Sequence, residues 1–321
     1  MVYLIAAIIT FFALMPSSLG FHVNENNIYI WTYLVLLSFL AGIFLLFQKV
    51  NPWVKIIALA GILNCFWSQS YIHSMTAYIS LVGSCYFYWG CTRVKNWGLI
   101  FKVLMSFVLL NCFMMLMQAL GRDPLLNFGQ GKNLLCFGIT GGRMCMESMV
   151  IVSAAFLIQS RYKVAIWALV ASAGLYLVIF KINAASQGGF LHNPLISRIP
   201  VWKETIELAN HYPWTGWGIG SYKIFYHVFS KLGTYEWHEA HNDYLQILFE
   251  TGWAGLLLMV VCVGSIFLRL KNRRLWKPLL GLSLILLDMG VHFPLREFQT
   301  FPVVVAFLAY CETLLVGSQV K

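Results

Sequence analysis

Apolar runs long enough to cross a bilayer alternate with short polar connections along most of the chain. The first five extend from Val2 to Leu19, Ile28 to Phe47, Val54 to Trp67, Tyr71 to Cys91 and Trp97 to Leu120. Five more follow, at Met146 to Gln159, Val164 to Phe180, Tyr244 to Leu268, Pro278 to His292 and Phe301 to Val316. Lipid offers the backbone no hydrogen-bond partner, so such runs are expected to be helices that satisfy themselves. The third, sixth and ninth are short against the roughly 17 to 25 residues a crossing takes. The pattern predicts an all-α polytopic membrane protein of about ten transmembrane helices. About seven helices fall within residues 1–180, one large outer loop with short helices covers 181–243, and about three helices occupy 244–321.

Charge sorts the connections into two kinds. Lys49 and Lys55, Arg93 and Lys95, Arg161 and Lys163, the group Arg269 to Lys277, and Lys321 fall on alternate sides of the spans. The intervening connections hold Glu25, Asp123, Glu204, Glu207, Glu236 and Glu239. Cytoplasmic loops collect Lys and Arg, so both termini are expected inside and the long 181–243 connection outside, facing the periplasm. Composition agrees: 60% of the 321 residues are hydrophobic and 11% charged, against about 25% charged in soluble domains. The net charge of +10 then reports orientation and contact with anionic lipid. No basic soluble face for nucleic acid is present. The first run carries no Lys or Arg ahead of its apolar core and is read as a retained span instead of a cleaved signal. Most of the eight cysteines lie in or beside spans. Cys136 and Cys145 share one outer connection, where an oxidising compartment permits a disulfide.

The long outer connection concentrates the polar chemistry. Its segment "SRIPVWKETIELANHYP" is read as a helix with Ser197 as cap and Pro200 in the first turn, which puts Arg198 and Trp202 on one side. "PWTGWGIGSY" has glycines at 216, 218 and 220, but neither the spacing nor a preceding strand fits a nucleotide-binding loop. It is read as a tight turn at the membrane surface, with Trp214 and Trp217 at the interface. "HEAH" offers His238, Glu239 and His241 only three residues apart, short of the i, i+4 pair of a zinc-protease helix. No convincing metal set emerges, and no cofactor is expected. A histidine at position 241 is suited to take a proton near neutral pH, although a lone histidine at a helix end is more often structural.

"HNDYL", at His241 to Leu245, followed by "ETGWAGLLL", resembles the His-Asn-x-x-Leu and Glu-x-Gly-x-x-Gly signature of the O-antigen ligase and O-antigen polymerase superfamily. The preceding Arg-x-x-x-Trp helix and Pro-x-x-Gly-x-Gly turn are similar to elements of the same family, so the resemblance covers Ser197 to Leu258. It implies an all-helical (GT-C-like) inner-membrane glycosyltransferase. Such an enzyme moves a glycan from undecaprenyl diphosphate to an acceptor hydroxyl of lipid A-core, protein or another glycan, without a metal. By the same resemblance His241 is the general base or orients the acceptor, and Arg198 clamps the diphosphate. Arg143 is the best-placed second arginine, with Arg122 and Lys132 as rivals. Asn242, Trp202 and His238 are expected to bind substrate or hold the loop. The candidate spans number fewer than the resemblance implies, the shortfall lying before the signature loop.

Two other readings stay open. A polymerase would use the same chemistry on lipid-linked repeat units. A transporter would place paired charges at the membrane midplane, whereas here the polar residues gather outside the membrane. Asp288 and His292, four residues apart in the ninth run, are candidates for lining the cavity or for a structural pair.

Overall fold

A computed structural model describes residues 1–14, 28–106, 151–156, 158–159, 194–232, 239–296 and 300–317. Every regular element among them is helical. These are α1 (Val2–Leu14), α2 (Ile28–Phe47), α3 (Pro52–Trp67), α4 (Tyr71–Cys91), α5 (Pro194–Ala209), α6 (Tyr222–Phe229), α7 (Asp243–Asn272), α8 (Trp276–Met289) and α9 (Phe301–Gly317). Residues 98–106 and 151–156 are also helical. Arg143 with its rivals Arg122 and Lys132, the cysteines 136 and 145, His238 and the run 164–180 lie outside the described residues.

The bounds of α2 and α4 coincide with the expected ones. α3 starts two residues early for a local reason: the Asn51 side chain accepts a hydrogen bond from Trp53 N at 3.0 Å, and Pro52 takes the first helical position, where its missing N–H costs nothing. α5 departs from expectation. It begins at Pro194, so Ser197 is not its cap, and Pro200 stands inside the helix. Pro194 is itself the start signal, its fixed φ being preorganised for a first turn. α8 ends at Met289, leaving His292 just beyond it.

The chain divides into two compact units, one of Met1–Gly20, Gly90–Ile196 and Arg269–Lys321, the other of Phe21–Trp89 and Ser197–Leu268. In the first, Trp97, Phe101, Phe156, Phe307 and Tyr310 form an edge-to-face aromatic cluster. The Arg269 guanidinium meets Glu312 at 3.0 Å, and Arg273 Nη1 donates to the Leu315 carbonyl at 2.8 Å. Asp288 and His292 do pair: Oδ1 and Nδ1 lie 2.6 Å apart, both side chains buried. In the second, α2, α3 and α4 share two apolar clusters around Leu45, Ala58, Cys65, Tyr78 and Val82. Lys55 Nζ closes the end of α2 by donating to the Leu46 carbonyl at 2.6 Å.

Among the described residues, α7 is the helix long and apolar enough to cross a membrane. α1, α2, α3 and α9 contain shorter apolar stretches.

Candidate functional site

The second unit brings together the motif residues of the long connection, and its organising feature is a break in α7. Gly252 has φ 65 and ψ −170, so the helix is kinked there. This conformation is essentially reserved for glycine. In an unbroken helix the Phe249 and Glu250 carbonyls would accept from the N–H groups of Trp253 and Ala254. Instead, Phe249 O accepts from Trp217 N at 2.9 Å and Glu250 O from Gly218 N at 2.8 Å. The two freed donors turn to the same turn: Trp253 N reaches Pro213 O at 2.7 Å and Ala254 N reaches Trp214 O at 3.4 Å. Four backbone bonds thus replace those that the kink gives up. The Pro-x-x-Gly-x-Gly turn and the Glu-x-Gly-x-x-Gly segment are therefore two halves of one joint. Both faces need glycine, since a Cβ on Gly216 would sit 2.4 Å from the Glu250 carbonyl carbon.

The far side of the turn is fastened to the last turn of α3 and to the α3–α4 connection. Asn64 donates to Thr215 O at 3.0 Å and accepts from Ile219 N at 2.8 Å, while Gln69 N and Ser68 Oγ both donate to Trp217 O. Trp217 is 6% exposed, against 67% for Trp214. The expectation that both line the interface is thus corrected for Trp217. Its indole N–H donates to Leu208 O at 2.9 Å, and its ring stacks on Phe249 with centroids 5.8 Å apart. A large ring with an internal partner for its one donor gains more from burial than from the interface.

Before the turn, α5 presents buried polar side chains. Arg198 is 2% exposed, a fully sequestered guanidinium. One helical turn on, Trp202 Nε1 donates to Ala240 O at 2.9 Å, which ties the arginine helix to the residue immediately preceding His241. Glu204 accepts from Tyr226 Oη at 2.8 Å, from Ser230 Oγ at 2.7 Å and from Lys231 N, and so holds the end of α6. Thr205 Oγ1 lies 2.9 Å from Tyr222 Oη. Burial pushes both phenols well above the ordinary tyrosine range, so each stays neutral and able to donate.

His241 itself has φ 51, a left-handed backbone rarely taken by a residue with a side chain. What holds it there is on either side. Ala240 N donates to Gln246 Oε1 at 3.1 Å, and the Gln246 amide nitrogen donates in turn to Glu239 Oε2 and, at 3.4 Å, to Glu250 Oε1. On the other side, Asn242 Oδ1 accepts from Leu245 N at 3.1 Å while its carbonyl accepts from Gln246 N. Asn242 is thus the cap of α7, and Asp243 in the first turn is fully buried. Asn242→Ala is expected to cost about 1 kcal/mol, read as a lower midpoint in a thermal melt of the purified protein.

Of the residues singled out from sequence, Arg198, Trp202, His241 and Asn242 are gathered in this unit, with Asn242 performing a capping role. Sequence reasoning missed Glu204, Gln246 and Glu250, which hold the pieces in place, and the helix α6. The signal for α6 was available: aromatic residues at 222, 225, 226 and 229 recur at helical spacing. Among the described residues no group of three or more His, Cys, Asp and Glu is placed to hold a metal ion.

A comparison with curated proteins finds no match. A family model described as O-antigen ligase matches residues 133–260, which takes in α5, the glycine turn, α6 and the kinked first part of α7. That family comprises bacterial membrane proteins of the glycosyltransferase type that act on lipid-linked glycans. Over residues 133–260, the chain is thus similar to the O-antigen ligase family.

Proposed function

We propose that the protein transfers a glycan from undecaprenyl diphosphate to an acceptor hydroxyl at the periplasmic face of the inner membrane, without a metal, in the manner of an O-antigen ligase. The observation that carries this reading is the Trp202–Ala240 hydrogen bond, which couples the helix of Arg198 to the backbone of His241. In this scheme the acceptor oxygen attacks the anomeric carbon of the donor as its proton passes to His241. The bond from that carbon to the diphosphate breaks, and the diphosphate departs with the electron pair. Its growing negative charge needs a fixed cation, and the guanidinium of Arg198 supplies one in a water-poor setting. Arg143 is proposed as a second cation for the same group. Residues 181–243 serve as the catalytic loop between the spans of 1–180 and those of 244–321.

The test is transfer by purified full-length protein from undecaprenyl diphosphate-linked glycan, with EDTA present, and with lipid A-core and lipid-linked repeat units competing as acceptors. Product is expected on lipid A-core, and His241→Ala is expected to lower its rate by about 10² to 10⁴-fold, the usual yield of a positioned base. An unchanged rate in that variant removes the base from the scheme. Abolition by EDTA removes the metal-free mechanism, and product on repeat units alone makes the enzyme a polymerase.

A further inference from the structure

The turn between α7 and α8 has a feature that glycan transfer does not use. Arg274 N donates to Lys271 O and Leu275 N to Leu270 O, both at 3.0 Å. This pair of bonds is the Schellman arrangement that ends a helix, and it places one residue in the left-handed region, where glycine is the usual choice. Here that residue is Arg274, at φ 56. The chain keeps a long cationic side chain at a position where its own backbone would favour none.

The side chain borders a cavity of about 400 Å³ in the first unit. Arg274, Lys277 and Gln159 supply its polar lining, and Trp276, Tyr310 and Leu314 its apolar wall. The neighbouring cations are engaged within the protein, Arg269 with Glu312 and Arg273 with the Leu315 carbonyl. Among the described residues neither Arg274 nor Lys277 forms an ion pair, and both are exposed. Two cations beside an amide, above an aromatic and aliphatic wall, match a phosphodiester joined to the beginning of an acyl chain. The charge pattern predicts that this turn lies on the cytoplasmic side, where anionic lipids meet basic crevices between helices.

We infer that the α7–α8 turn is a binding site for the phosphodiester headgroup of an anionic phospholipid, with Arg274 and Lys277 as its ligands. The left-handed turn aims a guanidinium that glycine would lack. Each cation is expected to contribute about five-fold to retention of the lipid, and the two together roughly twenty-five-fold.

The experiment uses full-length protein in phosphatidylcholine nanodiscs doped with a photoreactive phosphatidylglycerol, and maps the cross-linked peptide. Labelling is expected at residues 274–278, with about five-fold less in Lys277→Gln and roughly twenty-five-fold less in Arg274→Gly combined with Lys277→Gln. Arg274→Gly relieves the backbone and is expected to melt no lower than the parent, so lost labelling there reports the guanidinium. Lys277→Gln leaves the turn untouched and keeps the test decisive if the double variant folds poorly. Equal labelling by a photoreactive phosphatidylcholine, or undiminished labelling in Lys277→Gln, overturns the site. Displacement of the label by excess inorganic phosphate overturns the lipid as its occupant.

Discussion

Gly252→Ala is expected to destabilise the protein by about 3 kcal/mol or more, lowering its melting midpoint by on the order of 10 °C. Two independent costs combine in one methyl group. At φ 65 and ψ −170 the backbone lies in a region that residues with a Cβ scarcely enter. The new Cβ would also meet the Trp214 carbonyl carbon at 2.4 Å and its oxygen at 2.5 Å. Those are backbone atoms of the glycine turn, pinned by the four cross-bonds of the joint, so they have no rotamer by which to yield. Either α7 straightens and abandons the turn, or the turn is pushed away. In both cases the groups that pair across the joint lose partners, at about 1 to 3 kcal/mol for each one left buried and unsatisfied. Gly264→Ala is the control. It lies in the same helix, where an added methyl group would meet nothing within 4 Å, and is expected to be neutral or to gain up to about 1 kcal/mol from helix propensity. Melts of both variants in detergent check the pair, and equal behaviour would show that the kink is not fixed by glycine.

Arg198→Met is expected to separate stability from catalysis. Removing a buried charge while keeping an unbranched apolar stem often leaves a fold neutral or more stable. Transfer should nevertheless fall by about 10³-fold or more, the scale on which a cation at a departing phosphate acts. Arg198→Lys is not expected to restore it, because an ammonium is a point charge without the planar fork that meets two phosphate oxygens together. Initial rates of glycan transfer, set beside melts of the same preparations, decide the matter. Parallel losses of rate and stability would assign Arg198 a purely structural role.

Much of the site is legible in the sequence alone, because its motif residues are close along the chain. Arg198 and Trp202 are one helical turn apart, and His241 and Asn242 are adjacent. The bounds of α2 and α4 are legible for a similar reason, since apolar composition alone decides them. What escapes is whatever depends on partners that only the folding back of the chain brings together. Glu204 reveals its purpose only when Tyr226, Ser230 and Lys231 arrive around it. Gln246 reads as an ordinary polar residue in the first turns of a helix until Ala240 N and the carboxylates of Glu239 and Glu250 converge on its amide. The kink is hidden for a different reason. A glycine inside a strongly apolar run is tolerated in a helix, and only the waiting backbone of residues 213–218 makes bending the better arrangement.

The broken helix also acts as a spacer with a fixed bend. From Trp253 to Asn272 the continuous part measures roughly 30 Å at about 1.5 Å per residue, which matches the roughly 30 Å hydrocarbon layer of a bilayer. An aromatic residue stands at one end and Arg269 and Lys271 near the other, the side chains suited to the two boundaries. The stretch from Asp243 to Thr251, on the other side of the bend, is about 13 Å long, and His241 stands just before it. Because one turn holds both sides of the bend, through Phe249 and Glu250 before it and Trp253 and Ala254 after it, a tilt of the longer segment carries the shorter one with it.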